Sequence, residues 1–258
     1  MDLIQSRDNP VFKQALKLAG SRRERLKARA TLLSGLHLVE AALEAGWSLH
    51  HLLHREGSPP TALNHAPGAR SSRLAADLFD TLEQMPSPTP VLAIASVPEP
   101  PSLRRDGWCL LLDGVQDPGN VGTLLRTAAA AGVDQAWLGT GCADAWSPKV
   151  LRAAMGAHFA LPVVERVDPV AAALGFQGTR AITALDGATD LFDCRLDGDL
   201  LLVLGAEGQG VSAAVAATAS LRIRIPMRAG VESLNVGAAG AVCLFEASRQ
   251  RRDTAVRA

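Results

Sequence analysis

An excess of charge of either sign is missing from this 258-residue sequence: 26 lysines and arginines balance 26 aspartates and glutamates. The whole-chain charge therefore predicts no polyanionic partner, and any nucleic-acid contact has to come from a local patch. Cysteine is scarce as well. Cys109, Cys142, Cys194 and Cys243 lie far apart and form no C-x-x-C pair, which fits neither zinc-ligand spacing nor a small disulfide framework. They read as buried free thiols in a reducing, cytoplasmic compartment. No run of about 18 apolar residues occurs, so no membrane span is expected, and Met1 to Arg7 lacks the apolar core of a secretory signal. No Ser-His-Asp order, internal repeat or low-complexity tract is visible. His50, His51, His54 and His65 crowd one stretch, yet their spacing does not set two imidazoles on one helix face and no carboxylate is arranged with them. They are expected at the surface, with no metal bound.

What is present is apolar. Hydrophobic residues make up 48% and charged residues 20% of the chain, a globular composition with enough length for one large or two modest domains. Asn9-Pro10 opens a helix, and Gly20 is placed to stop it. Ser21 to Arg29 carries five cations, read equally well as a solvated helix face or as an RNA patch. A strand is expected at Leu32-Leu33 and on through Leu36 to Val39, then a helix from Glu40 to Ala45 stopped by Gly46. Residues 71–84 read as a helix, Pro86 to Pro90 as a loop and Val91 to Ala95 as a strand. The proline-rich stretch Val97 to Gly107 is stiff and unable to pair as a strand, and serves as the linker. The division expected is 1–98, linker 99–106, and 107–258.

Beyond the linker, strand, loop and helix alternate. Strands are expected at Cys109 to Leu112, Ala136 to Gly139, Leu161 to Val164, Ala181 to Ala184, Leu200 to Leu204 and Leu221 to Ile225, with helices from Val121 to Gly132, from Pro148 to Ala157 and from Val236 to Ser248. That alternation predicts an α/β fold with a mostly parallel sheet. Three polar turns follow strands. The first carries Asn120, with Arg126 one and a half turns further on; the two can meet only if Asn120 lies in the loop and Arg126 reaches back. The second is Gly205-Ala206-Glu207-Gly208-Gln209-Gly210, whose glycine order is neither a dinucleotide fingerprint nor a phosphate loop. Glu207 there repels phosphate and suits hydroxyls or a cationic group. Ser212 is placed to cap the next helix. The third joins Ile225-Pro226-Met227 to Ser233-Leu234-Asn235 at the start of a helix. Strand ends carrying such residues are where open α/β sheets bind ligands. Asn, Arg, Glu, Ser and Asn suit the holding of a hydroxyl beside a ligand, which is transfer chemistry by positioning and electrostatics.

The three turns, in this order and spacing, resemble the motifs of the SpoU (TrmH-like, SPOUT superfamily) RNA ribose 2′-O-methyltransferases. The resemblance covers roughly residues 107 to 250. Ser147 to Ala157 also looks like the family, with Ala154 where a Ser is usual. The stretch from Ile4 to Pro10, with Lys13, Leu16-Lys17-Leu18 and the basic run to Arg29, is similar to the family's substrate-binding domain, related to ribosomal protein L30e. The two-domain form resembles the ribosomal RNA branch. The resemblance implies a C-terminal α/β trefoil-knot domain, a smaller N-terminal L30e-like α/β domain and a homodimer through the knot. It implies S-adenosylmethionine bound by Gly205, Ile225, Met227 and Leu234. Asn120, Arg126, Glu207, Ser233 and Asn235 would form the catalytic site, and the substrate would be RNA, most simply ribosomal RNA. Transfer RNA as substrate, and a non-catalytic RNA-binding or assembly factor on the same fold, are the other readings the sequence leaves open.

Overall fold

The structure, a computed structural model, describes residues 1–59, 63, 68–83, 89–184, 186–230 and 232–257. The expectations for His65, for Gln84 and for Pro86 to Pro88 fall outside the described residues. The chain forms two units, one made of Met1–Glu99 with Trp146–Phe159, the other of Pro100–Ala145 with Ala160–Ala258.

The first unit begins with β1 (Asp2–Ile4), α1 (Pro10–Gly20) and α2 (Arg22–Ala28). Asn9 caps α1 by accepting from the Val11 amide, and Ser21 caps α2 by accepting from that of Glu24. Then come β2 (Ala30–Ser34), α3 (Leu36–Glu44), β3 (Leu49–Arg55), β4 (Arg70–Leu74), α4 (Ala76–Glu83) and β5 (Val91–Ser96). The sheet order is β1-β4-β3-β5-β2, with β5 antiparallel to both its neighbours. Phe12 and Leu18 of α1 and Leu78 and Phe79 of α4 pack with Leu32, Leu53, Leu92 and Ile94 of the sheet.

Several local expectations change here. Residues 70–74 form a strand rather than the start of a helix, and α3 begins at Leu36, because Gly35 takes φ +105° and breaks the strand early. His50, His51 and His54 lie on β3, in the middle of the sheet. His50 is exposed, but His54 is buried, and burial together with Arg73 pushes its pKa below the ordinary 6.5. The basic run also divides. Arg25 is buried and donates to the Leu18 and Ala19 carbonyls at the end of α1. Arg29 closes α2 in the left-handed region and pairs with Glu99. Arg23 and Lys27 remain exposed.

Residues 146–159 complete this unit with α6 (Pro148–Ala154), numbered in chain order after the α5 described below. Thr31 Oγ1 donates to the Trp146 carbonyl at 2.6 Å, and Trp47 packs edge-on to Phe159. Glu83 is buried and accepts from Ser34 Oγ at 2.6 Å, Thr89 Oγ1 at 2.7 Å and Arg152 at 3.2 Å. A buried carboxylate is tolerated when its lone pairs are filled in this way.

The second unit runs β6 (Trp108–Asp113), α5 (Pro118–Ala131), β7 (Gln135–Gly139), β8 (Val163–Val167), α7 (Pro169–Gly175), β9 (Thr179–Thr183), β10 (Thr189–Asp190), β11 (Leu200–Gly205), α8 (Ala213–Ala216), β12 (Leu221–Arg224) and α9 (Val236–Arg257). The order is β10-β12-β9-β11-β6-β7-β8, and every neighbouring pair is parallel. The continuous apolar runs of β6 and β11 are buried from end to end, as central parallel strands require. One sheet face carries Trp137, Phe176, Val203 and Val215. On the other, α9 lies close to α5: a Cβ at Gly240 would come within 2.3 Å of Leu124 Cδ2. All four cysteines are buried free thiols, and burial raises Cys109 and Cys243 to about 12. Among the described residues no helix is long and apolar enough to cross a membrane, and no group of three or more His, Cys, Asp or Glu could hold a metal ion.

Candidate active site

Parallel strands bring their C-terminal ends to one edge, so the turns after β6, β11 and β12 leave the sheet on the same side. β6 and β11 are neighbours, with Asp113 in register with Gly205. Asp113 accepts from the Ser212 amide at 2.8 Å, tying the end of one strand to the turn after the other. Ser212 stands at the start of α8 but makes no capping bond through its hydroxyl, which corrects the expected cap.

The glycine turn is closed by two backbone hydrogen bonds between Ala206 and Gly210, at 3.0 and 2.8 Å. Gly208 and Gly210 take φ of +82° and +70°, conformations that a side chain strains. Gly205 is required for a different reason: a Cβ there would lie 2.0 Å from the Gly210 carbonyl carbon.

The first turn ends at Asp117, whose carboxylate accepts from the Asn120 amide and starts α5. Asn120 is therefore inside the helix, not in the loop before it. The condition for its meeting Arg126 fails: Arg126 is exposed on α5 and makes no hydrogen bond or ion pair among the described residues. Asn120 instead joins the other two turns. Its Nδ2 donates to Glu207 Oε1 at 2.7 Å, and its Oδ1 accepts from Asn235 Nδ2 at 3.0 Å. Asn235 Oδ1 in turn accepts from the Gly237 and Ala238 amides at the start of α9. Asn235 is thus a helix cap and a cross-turn link at once, and each polar atom of the two amide side chains is used.

Between these turns lies a cavity of about 690 Å³. Its wall includes Gly205, Ile225, Met227 and Leu234, together with Glu207, Ser233 and Asn235. Asn120 and Arg126 are not on that wall. The end of β9 contributes Ile182, Thr183 and Ala184. In the sheet β9 and β11 lie between β12 and β6, so the bond from Asn235, after β12, to Asn120, after β6, is made past the ends of those two strands. Sequence reasoning missed Asp186 and Arg222, which also line the cavity. The available signal for Arg222 was its alternation with buried Ile223 on β12.

A family model described as SpoU rRNA Methylase family matches residues 107–245. The chain belongs to that family. A second model, an MRM3-like substrate binding domain, matches residues 9–93. The chain is 36% identical over 248 residues to the 23S rRNA (guanosine(2553)-2′-O)-methyltransferase RlmP of Bacillus subtilis, covering 95% of this chain and 98% of that protein. It is 30% identical to the 23S rRNA (uridine(2479)-2′-O)-methyltransferase of Streptomyces viridochromogenes, over 94% of this chain and 91% of that one. Among solved structures, the SpoU methyltransferase AviRb from Streptomyces viridochromogenes in complex with AdoMet matches with a TM-score of 0.85 and 30% identity, over 95% of this chain and 98% of that one.

Proposed function

We propose that the chain transfers a methyl group from S-adenosylmethionine to a ribose 2′-hydroxyl of ribosomal RNA. The observation that carries this is the hydrogen-bonded chain Asn235–Asn120–Glu207 at the rim of a cavity walled by the glycine turn. Relatives matched over nearly their whole length are named for this reaction on 23S rRNA.

The cavity suits the methyl donor. Its volume lies in the range of small-ligand sites. Ile225, Met227 and Leu234 offer apolar surface for a purine, and the bare backbone at Gly205 allows close approach. Glu207 and Asp186 favour a cationic ligand over a phosphate. When bound, S-adenosylmethionine supplies a sulfonium-activated methyl group. The chain's own residues do the positioning. Asn120 and Asn235 hold the three turns together, and Glu207 keeps its second oxygen for a hydroxyl. Ser233, exposed on the cavity wall, donates to or accepts from the ribose. Arg126 orients the reacting hydroxyl and the adjacent phosphate. A guanidinium stays charged in proteins, so it serves as a fixed cation, and the hydroxyl proton passes to solvent water as the oxygen–methyl bond forms and the sulfur–methyl bond breaks.

The division at 1–98, 99–106 and 107–258 is part of this proposal, with the first part binding RNA and the last catalytic. The link from Asn235, after β12, to Asn120, after β6, past the ends of the two strands between them, supports a trefoil-knotted C-terminal domain. Phe245, 48% exposed on α9, is apolar surface that a second copy would cover in a homodimer. Four buried free thiols suit a cytoplasmic setting. Replacing Arg126 by Ala is expected to lower methyl transfer to ribosomal RNA by about a hundredfold while S-adenosylmethionine affinity by calorimetry stays within about twofold, since Arg126 is off the cavity wall. A wild-type rate would remove Arg126 from the reaction.

A further inference from the structure

The charged residues on the cavity wall are Asp186, Glu207, Arg222 and Arg224. Two of them are engaged: Arg224 pairs with Asp190, and Glu207 accepts from Asn120. Arg222 has no hydrogen bond or ion pair among the described residues. It stands two residues before Arg224 on β12, so both project from the same strand face, opposite buried Ile223. Its register partner on β9 is Ile182, itself a cavity residue.

A free arginine on an ordinary surface needs no explanation. On the wall of a ligand cavity it is, among the described residues, the one free cation facing a ligand, and the remaining free charge there, Asp186, is an acid. The pairing matches a ligand end that carries both an anion and a cation. A guanidinium presents parallel donors that a carboxylate accepts in bidentate fashion. Resting on the S-adenosylmethionine reading above, we propose that Arg222 holds the α-carboxylate of the ligand's amino-acid end, with Asp186 balancing the neighbouring ammonium. Arg222 is then a specificity residue that distinguishes an intact amino-acid tail from a bare thioether nucleoside.

The test is calorimetry on the full chain with two probes, S-adenosylhomocysteine and 5′-methylthioadenosine, which lacks the amino-acid end. Arg222→Met is expected to lose about five- to tenfold in affinity for S-adenosylhomocysteine and less than about twofold for methylthioadenosine. Arg222→Lys, which keeps the charge without the fork and guards against misfolding of the first variant, is expected to fall between. Equal losses for both probes, or no loss for S-adenosylhomocysteine, would overturn the assignment. Unchanged S-adenosylhomocysteine affinity with weakened RNA binding would overturn it too, and give Arg222 to a phosphate. If the wild-type chain bound neither probe, the cofactor reading itself would fall, and this inference with it.

Discussion

The two units handle polar side chains in opposite ways. In the first, Glu83 sits under the surface with Ser34, Thr89 and Arg152 filling its lone pairs. In the second, Glu207 and Asn235 lie exposed at strand ends and Asn120 is half-buried, and they are linked to one another across three turns. Hydrogen bonding is satisfied in both places, so satisfaction alone does not tell a structural cluster from a reactive one. Accessibility does. Burying a carboxylate makes its partners a condition of folding, whereas an exposed chain of hydrogen bonds contributes little to stability and leaves atoms free for a ligand. The basic run teaches the same lesson at smaller scale: among neighbouring cations, Arg25 is a buried helix cap, Arg29 an ion pair, and Arg23 and Lys27 exposed charges.

That contrast can be broken from either side. The largest effect is expected from Gly205→Ala, because the added methyl would meet the Gly210 backbone at 2.0 Å. Overpacking of this kind costs about 1–3 kcal/mol, and opening the turn should lower S-adenosylmethionine affinity by roughly tenfold or more in calorimetry. Glu83→Leu comes next. Removing the acceptor for three donors should cost about 2–3 kcal/mol in urea unfolding, while ligand affinity of the second unit stays within about twofold. Comparable damage to affinity would mean that the buried cluster is not purely structural. Asn120→Ala should behave the other way round, with stability within about 1 kcal/mol and methyl transfer down by about tenfold or more. Loss of stability without loss of rate would make the cross-turn chain a mere brace.

The smallest effect concerns pH. Burial, then Arg73, holds His54 below its ordinary 6.5. A group whose pKa is depressed in the folded state binds its proton more readily when unfolded. Its contribution is therefore complete above about 6.5 and declines as pH falls toward the folded value. His54→Leu should flatten the dependence of urea midpoint on pH between about 7 and 5. An unchanged slope would assign that pH dependence to other groups.

Much of the second unit was legible because its central strands β6 and β11 carry continuous apolar runs, as strands covered on both faces must. β10, two residues long, left no pattern to read. In the first unit β3 and β4 were hidden by their own composition. Leu-His-His-Leu-Leu-His-Arg and Arg-Ser-Ser-Arg-Leu carry too many polar residues for alternation to stand out, although Leu49, Leu52, Leu53 and Leu74 are buried. The docking of residues 146–159 on the first unit rests on Thr31, Trp47 and Glu83, partners about 70 to 115 positions away, which no local periodicity encodes. At the site, the turns were legible as turns because Gly, Asn and Pro punctuate them. The bond from Asn120 to Glu207 and Asn235 was not, since it depends on the order of strands in the sheet. Arg222 was passed over because an arginine in an alternating strand looks like any solvated face.

The measurement that bears most directly on the whole account is a map of ribose 2′-O-methylation across ribosomal RNA from cells with the chain, without it, and with the Arg126→Ala form restored. One ribose methyl, or a small defined set, should vanish without the chain, return with the wild type and stay absent with Arg126→Ala. A map identical in all three would contradict methyl transfer to ribosomal RNA at this cavity.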